Sequence, residues 1–138
     1  MYHRLDGPAR EFLDGQKKWY QNGKCHREDG PAYEGSDGSK GWYQNGQRHR
    51  EDGPAVEYAN SDKQWWLNGK VHRTNGPAIE RADGSKNWYL NGELHRLDGP
   101  AIENADGTKD WYYHNKEYGT NDDFTNESWT HFQRTLLF

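Results

Sequence analysis

The sequence has one cysteine, one methionine and no apolar run near the roughly 20 residues that cross a bilayer. Cys25 therefore has no partner for an internal disulfide, and the equivalent places in later repeats hold Arg48, Val71 and Leu94, so nothing marks it as a reactive thiol. The opening stretch MYHRLDGPAREFLDG lacks the pattern of a secretion signal, and the expected location is the cytoplasm. Charge of one sign is also lacking. The 22 acidic and 18 basic residues are interspersed and leave a net charge of -4, which gives no electrostatic footprint for duplex nucleic acid or an anionic membrane. Aliphatic residues are scarce as well: a hydrophobic fraction of 30% beside a charged fraction of 29% is too little for an ordinary globular core. No Gly-x-Ser-x-Gly, phosphate loop, His-Glu-x-x-His or Cys-x-x-Cys occurs, and no cofactor is expected.

Aromatic residues fill the gap. Seven Trp and nine Tyr each offer a large ring to bury, so a thin fold packed by rings can be stable without an aliphatic centre. They recur with a period of 23 residues, which places HREDGPA at 26-32 and again at 49-55, HRLDGPA at 3-9 and 95-101, and HRTNGPA at 72-78. A catalytic motif is needed once per active site, whereas a structural joint is needed once per unit of a repeating fold. Glu11, Glu34, Glu57, Glu80 and Glu103 recur without exception. So do the lysines from Lys17 to Lys109 and the tryptophans Trp19, Trp42, Trp65, Trp88 and Trp111.

Two turn signals punctuate each repeat. Asn-Gly at 22-23, 45-46, 68-69 and 91-92 tolerates positive φ at both residues and predicts two-residue hairpins. Asp-Gly at 14-15, 37-38, 83-84 and 106-107 predicts the second turn, with Asn60-Ser61 as the least comfortable variant because Ser lacks the freedom of Gly. With a three-residue loop such as Leu13-Asp14-Gly15, Glu11 falls opposite Lys17 and the strictly repeated Ala, Glu, Lys and Trp share one face. Asp29-Gly30-Pro31 is then the joint where the chain changes strand partner, with Gly supplying the bend and Pro fitting an interrupted ladder. The repeat decays after Trp111, so the meander's last strand is expected near Trp111-Tyr112-Tyr113.

Tyr20, Asn22-Gly23, His26 and Asp37-Gly38 give the unit a form similar to the MORN repeat, which also has a period near 23, over residues 1 to about 115. The resemblance implies stacked hairpins in an elongated, curved single sheet that serves binding or scaffolding. That family has His-Gly-x-Gly where this chain has His-Arg-x-Asp-Gly-Pro-Ala, and lipid binding is not carried over to an acidic chain. Trp-Tyr-x-Asn-Gly also resembles cell-wall-binding repeats of bacterial surface proteins.

The expected fold is thus all-β: an elongated single-layer antiparallel meander of five MORN-like hairpin repeats over 1-118, the fifth degenerate, followed by an amphipathic helix in 119-138. In that tail Thr125 is the N-cap, Phe124 and Trp129 form a hydrophobic staple, and Phe124, Trp129, Phe132 and Leu136 supply an apolar stripe that caps the sheet or meets a partner. Equivalent histidines, about 9–10 Å apart at two strands per repeat, are too far apart to share a metal ion. Five equivalent copies do not make one asymmetric cleft, so the chain reads as a non-enzymatic surface for another protein, such as a bacterial or phage inhibitor or antitoxin. The alternative is a small anionic or sugar ligand, a nucleotide or glycan, held by the aromatic and arginine rows: Trp42, Tyr43, Trp65, Trp66, Trp88, Tyr89, Arg50 and Arg73.

Overall fold

The computed structural model describes residues 9–120 and 125–136, with hairpins arranged in one eleven-stranded antiparallel sheet and a single C-terminal helix, Asn126–Leu136. The chain forms two compact halves, Met1–Lys70 and Val71–Phe138. The first copy of the joint, at 3-8, lies outside the described residues, as does Phe124, together with the side chain of Leu136.

In the N-terminal half the sheet strands are Arg10–Glu11, Lys17–Lys18, Tyr33–Glu34, Lys40–Gly41, Val56–Glu57 and Lys63–Gln64, each pair antiparallel to the next. The register pairs Glu11 with Lys17, Lys17 with Glu34, Glu34 with Lys40, Lys40 with Glu57 and Glu57 with Lys63. One face therefore carries an alternating charge row, as the three-residue loop predicts. That loop is closed by Phe12 N–H to Gln16 O and Gly15 N–H to Phe12 O, with Gly15 at φ 96. The third loop keeps this geometry although Ser61 must adopt φ 80.

Strands bend at the tryptophan. Trp19 leaves the ladder by donating its N–H to Ala32 O, and the chain continues into an arm in which Tyr20–Gln21 pairs with Lys24–Cys25. Asn22 at φ 53 and Gly23 at φ 77 close it as the mirror-image turn suited to twisted hairpins. The arm of Tyr43–Gln44 and Gln47–Arg48 is built the same way. Arms of successive repeats bond one another, with Arg27 N–H donating to Tyr43 O and Gly46 N–H to Cys25 O.

The C-terminal half repeats this with strands Ile79–Glu80, Lys86–Asn87 and Ile102–Glu103 and the arm of Tyr89–Leu90 and Glu93–Leu94. Its last hairpin corrects the sequence reading. Lys109–Tyr113 is followed by another strand, Lys116–Thr120, paired with it through a register shift at Trp111/Tyr112. His114 at φ 46 and Asn115 at φ 67 adopt the Asn-Gly conformation without a glycine, so the fifth hairpin is complete where its signature is lost.

The helix starts as expected: Thr125 Oγ1 accepts from Ser128 N–H at 3.2 Å. Trp129 is 1% exposed, its ring lies 5.1 Å from that of Phe132, and Phe132 lies 4.2 Å from Tyr118 on the last strand. Trp129 Nε1 also donates to Leu97 O at 2.6 Å. The helix thus covers the last hairpin and grips a joint. In every described joint the alanine, Ala32, Ala55, Ala78 or Ala101, is fully buried, which leaves no room there for a larger side chain.

Candidate binding surface

Each joint is organised by its arginine. Arg27 lies with Cζ 4.0 Å above the Trp19 ring, donates from Nε to Asp29 Oδ1 at 3.0 Å and from Nη1 to Pro31 O at 3.1 Å, and places Nη1 3.8 Å from Glu34. Arg50 repeats this over Trp42 at 3.9 Å, with Asp52, Pro54 and Glu57. Arg96 does so over Trp88 at 3.8 Å, with Asp98, Pro100 and Glu103. Arg73 bonds Asn75 Oδ1, Pro77 O and Glu80. The expected joint is real, and its glycine lies in the bend with a second task besides. Gly30, Gly53, Gly76 and Gly99 are not at positive φ; a Cβ there would meet the arginine Cζ at 3.1, 3.0, 3.0 and 3.0 Å. The guanidinium lies between a tryptophan ring and a glycine backbone where a Cβ would crowd it. The glutamates, besides standing opposite lysines, point to the arginine seven residues earlier.

The histidines have an equally defined task. His26, His49 and His72 accept through Nδ1 from the backbone N–H of Asn45, Asn68 and Asn91 at 3.0, 3.0 and 2.9 Å, and His95 accepts from His114 N–H at 3.1 Å. Each ties its joint to the arm of the next repeat, and each must carry its proton on Nε2. Burial, and secondarily the neighbouring His114, pushes the pKa of His95 below the usual histidine value, against the opposing pull of Glu93. Among the described residues no three His, Cys, Asp or Glu side chains converge where they could hold a metal ion. Burial raises the pKa of the Cys25 thiol despite nearby Lys18, and the thiol lies 3.7 Å from Ala32 O.

These contacts rearrange the predicted binding set. Trp42 and Trp88 offer a ring face to their own arginine, and Arg50 and Arg73 donate from Nε and Nη1 within the chain. Trp65 is half-buried. The next aromatic position points differently: Arg48 donates from Nε to the Tyr43 hydroxyl at 3.3 Å and lies 4.9 Å from the Trp66 ring, so these two predicted residues are brought together. Tyr89 stands opposite Leu94 on its own arm. Phe132 and Trp129 face Tyr118 and the helix's own hairpin.

Of the predicted residues, Arg73 and Trp88 meet in a groove of about 480 Å³ within the C-terminal half, together with Leu90, His95, Arg96 and Leu97. Leu97 is 50% exposed. Sequence reasoning missed Leu90 and Leu97; the place of Leu90 holds Gln21, Gln44 and Leu67 in earlier repeats and that of Leu97 holds Leu5, Glu28, Glu51 and Thr74, so the signal is only that both places of one repeat are leucine here. The chemistry on offer is a lining in which Trp88, Leu90 and Leu97 stand beside Arg73 and Arg96, suited to receiving a side chain. No family model matches the sequence, and no curated protein matches it.

Proposed function

We propose that the protein is a non-enzymatic repeat module that binds another protein, acting as a small inhibitor or antitoxin of bacterial or phage origin in the cytoplasm. The observation that carries this reading is the Trp88–Leu90–Leu97 groove, where two places that vary between repeats are both leucine beside two arginines. The invariant His, Arg and Glu side chains hold the repeats together, which favours a scaffold over a set of repeated reactive sites. The alternative of a nucleotide or glycan held by the Trp/Tyr and Arg rows is disfavoured by the bonds those arginines already make.

The test is affinity capture from the native host with the wild-type chain and with Leu97→Asp, each checked for an unchanged melting curve. The expected result is one dominant protein that the wild type retains stoichiometrically and the variant loses. Recovery of the same protein by both chains, or of a small molecule alone, would overturn the reading.

A further inference from the structure

The hairpin 57–63 departs from the repeat at several neighbouring places. Tyr58 stands where other repeats have Phe12, Gly35, Arg81 and Asn104; Asn60-Ser61 replaces Asp-Gly; Gln64 stands where they have Lys18, Gly41, Asn87 and Asp110. The fold tolerates this at a cost, since Ser61 is forced to φ 80. Val56 and Gln64 pair directly, and Tyr58, two residues on from Val56, lies on the same sheet face. Tyr58, Asn60 and Gln64, with Asp37, Ser39 and Asp62, line a groove of about 480 Å³ in the N-terminal half, and Tyr58 is 40% exposed within it.

The polar groups of this groove are held in place by the protein itself. Asp37 accepts the Ser39 N–H on Oδ1 at 2.9 Å, which leaves Oδ2 as an acceptor. Hydrogen bonds from the Ser39 backbone and hydroxyl keep its carboxyl below the usual carboxylate range, so it is ionised at neutral pH. Asn60 accepts the Asp62 N–H on Oδ1 at 3.0 Å, and Gln64 accepts the Trp66 indole N–H on Oε1 at 3.0 Å. Both amides therefore present their NH2 groups as donors. A ligand must satisfy the carboxylate acceptors of Asp37 and Asp62 and the two amide donors around one exposed ring. An ammonium or guanidinium can only donate and would leave the amides unmatched; a phosphate or carboxylate can only accept and would face carboxylates without a basic group in the lining. Hydroxyl groups do both. From this geometry we infer a second binding site, a neutral hexopyranose subsite in which the sugar's apolar face stacks on Tyr58 while its hydroxyls bond Asp37, Asn60 and Gln64. It is independent of the protein-binding groove.

Saturation-transfer NMR on the full chain tests it, with the methyl glycosides of glucose, galactose, mannose and N-acetylglucosamine as probes, and arginine methyl ester and inorganic phosphate as charged controls. At least one glycoside should bind. Tyr58→Ala should weaken that binding about tenfold while Tyr58→Phe retains it, since the ring does the stacking. Should Tyr58→Ala melt early, Asp37→Ala, at an exposed carboxylate, is expected to lower the same affinity. Binding of arginine ester or phosphate but no glycoside would overturn the assignment. So would the absence of any binding, or glycoside binding unchanged in both Tyr58→Ala and Asp37→Ala.

Discussion

Replacing Gly53 by alanine should destabilise the protein only while Arg50 is present. The new Cβ would lie 3.0 Å from Arg50 Cζ and 3.2 Å from Nε, tighter than ordinary packing, so the guanidinium must shift from its place over Trp42 at 3.9 Å. That displacement forfeits a cation–π contact of about 0.5–1 kcal/mol. It also weakens the charged hydrogen bond to Pro54 O, for which about 1.5 kcal/mol is reasonable. The bond to Asp52 adds little, because that carboxylate is 87% exposed. Against a loss of about 2 kcal/mol stands the reduced freedom of the unfolded chain, worth about 0.4–1 kcal/mol in alanine's favour. A net destabilisation of about 1–2 kcal/mol is expected in the wild type. In an Arg50→Ala background the same change should be neutral or stabilising, since the obstacle is gone and only the unfolded-state term remains. Urea denaturation of the four chains of this cycle measures the coupling. Gly38→Ala is the control, because Gly38 has φ 94 with no atom within 4 Å of a Cβ, and its cost should not depend on Arg50. Equal effects of Gly53→Ala in both backgrounds would refute the sandwich as the reason for this glycine.

Ser61→Gly should stabilise by about 0.5–1 kcal/mol, the left-handed strain of about 1–2 kcal/mol relieved less the entropy cost of glycine; thermal melting reads the change. His95 has a folded pKa below its unfolded value near 6.5, so its contribution is present above that pH and lost as pH falls below it. The stability gap between wild type and His95→Gln should therefore shrink from pH 7 to pH 5 in urea titrations. Removing residues 122-138 uncovers Tyr118 and frees the Leu97 carbonyl, and the truncated chain is expected to melt lower and self-associate in analytical ultracentrifugation. A monomer of unchanged stability would show that the helix does not act as a cap.

The turns and the register were legible because Asn-Gly and Asp-Gly name their backbone conformations and a three-residue loop leaves one pairing for Glu11 and Lys17. Thr125 was legible as a cap for a similar reason, since its partner lies three residues away. The second task of the joint's glycine was not. A glycine required by a nearby side chain looks in sequence like one required by φ, and only the arginine's position separates the two. The fifth hairpin was hidden because His114-Asn115 does not spell a turn, although asparagine tolerates positive φ and the pairing of the flanking strands holds both residues there. Leu90 and Leu97 were overlooked because the strictly repeated positions drew the reading, whereas these two places vary from repeat to repeat.

The arginine sandwich is also a statement about folding speed. Trp19, Arg27, Asp29, Pro31 and Glu34 all fall within one stretch of chain shorter than a repeat, and the histidine bond that follows reaches only from His26 to Asn45. Bringing such near neighbours together costs little loop-closure entropy, which is uncommon for a β protein, where distant pairings usually set a slow pace. Each joint can therefore close as soon as its own residues leave the ribosome, before the repeats that follow have been made. Its completed arm is then a template on which the next one forms.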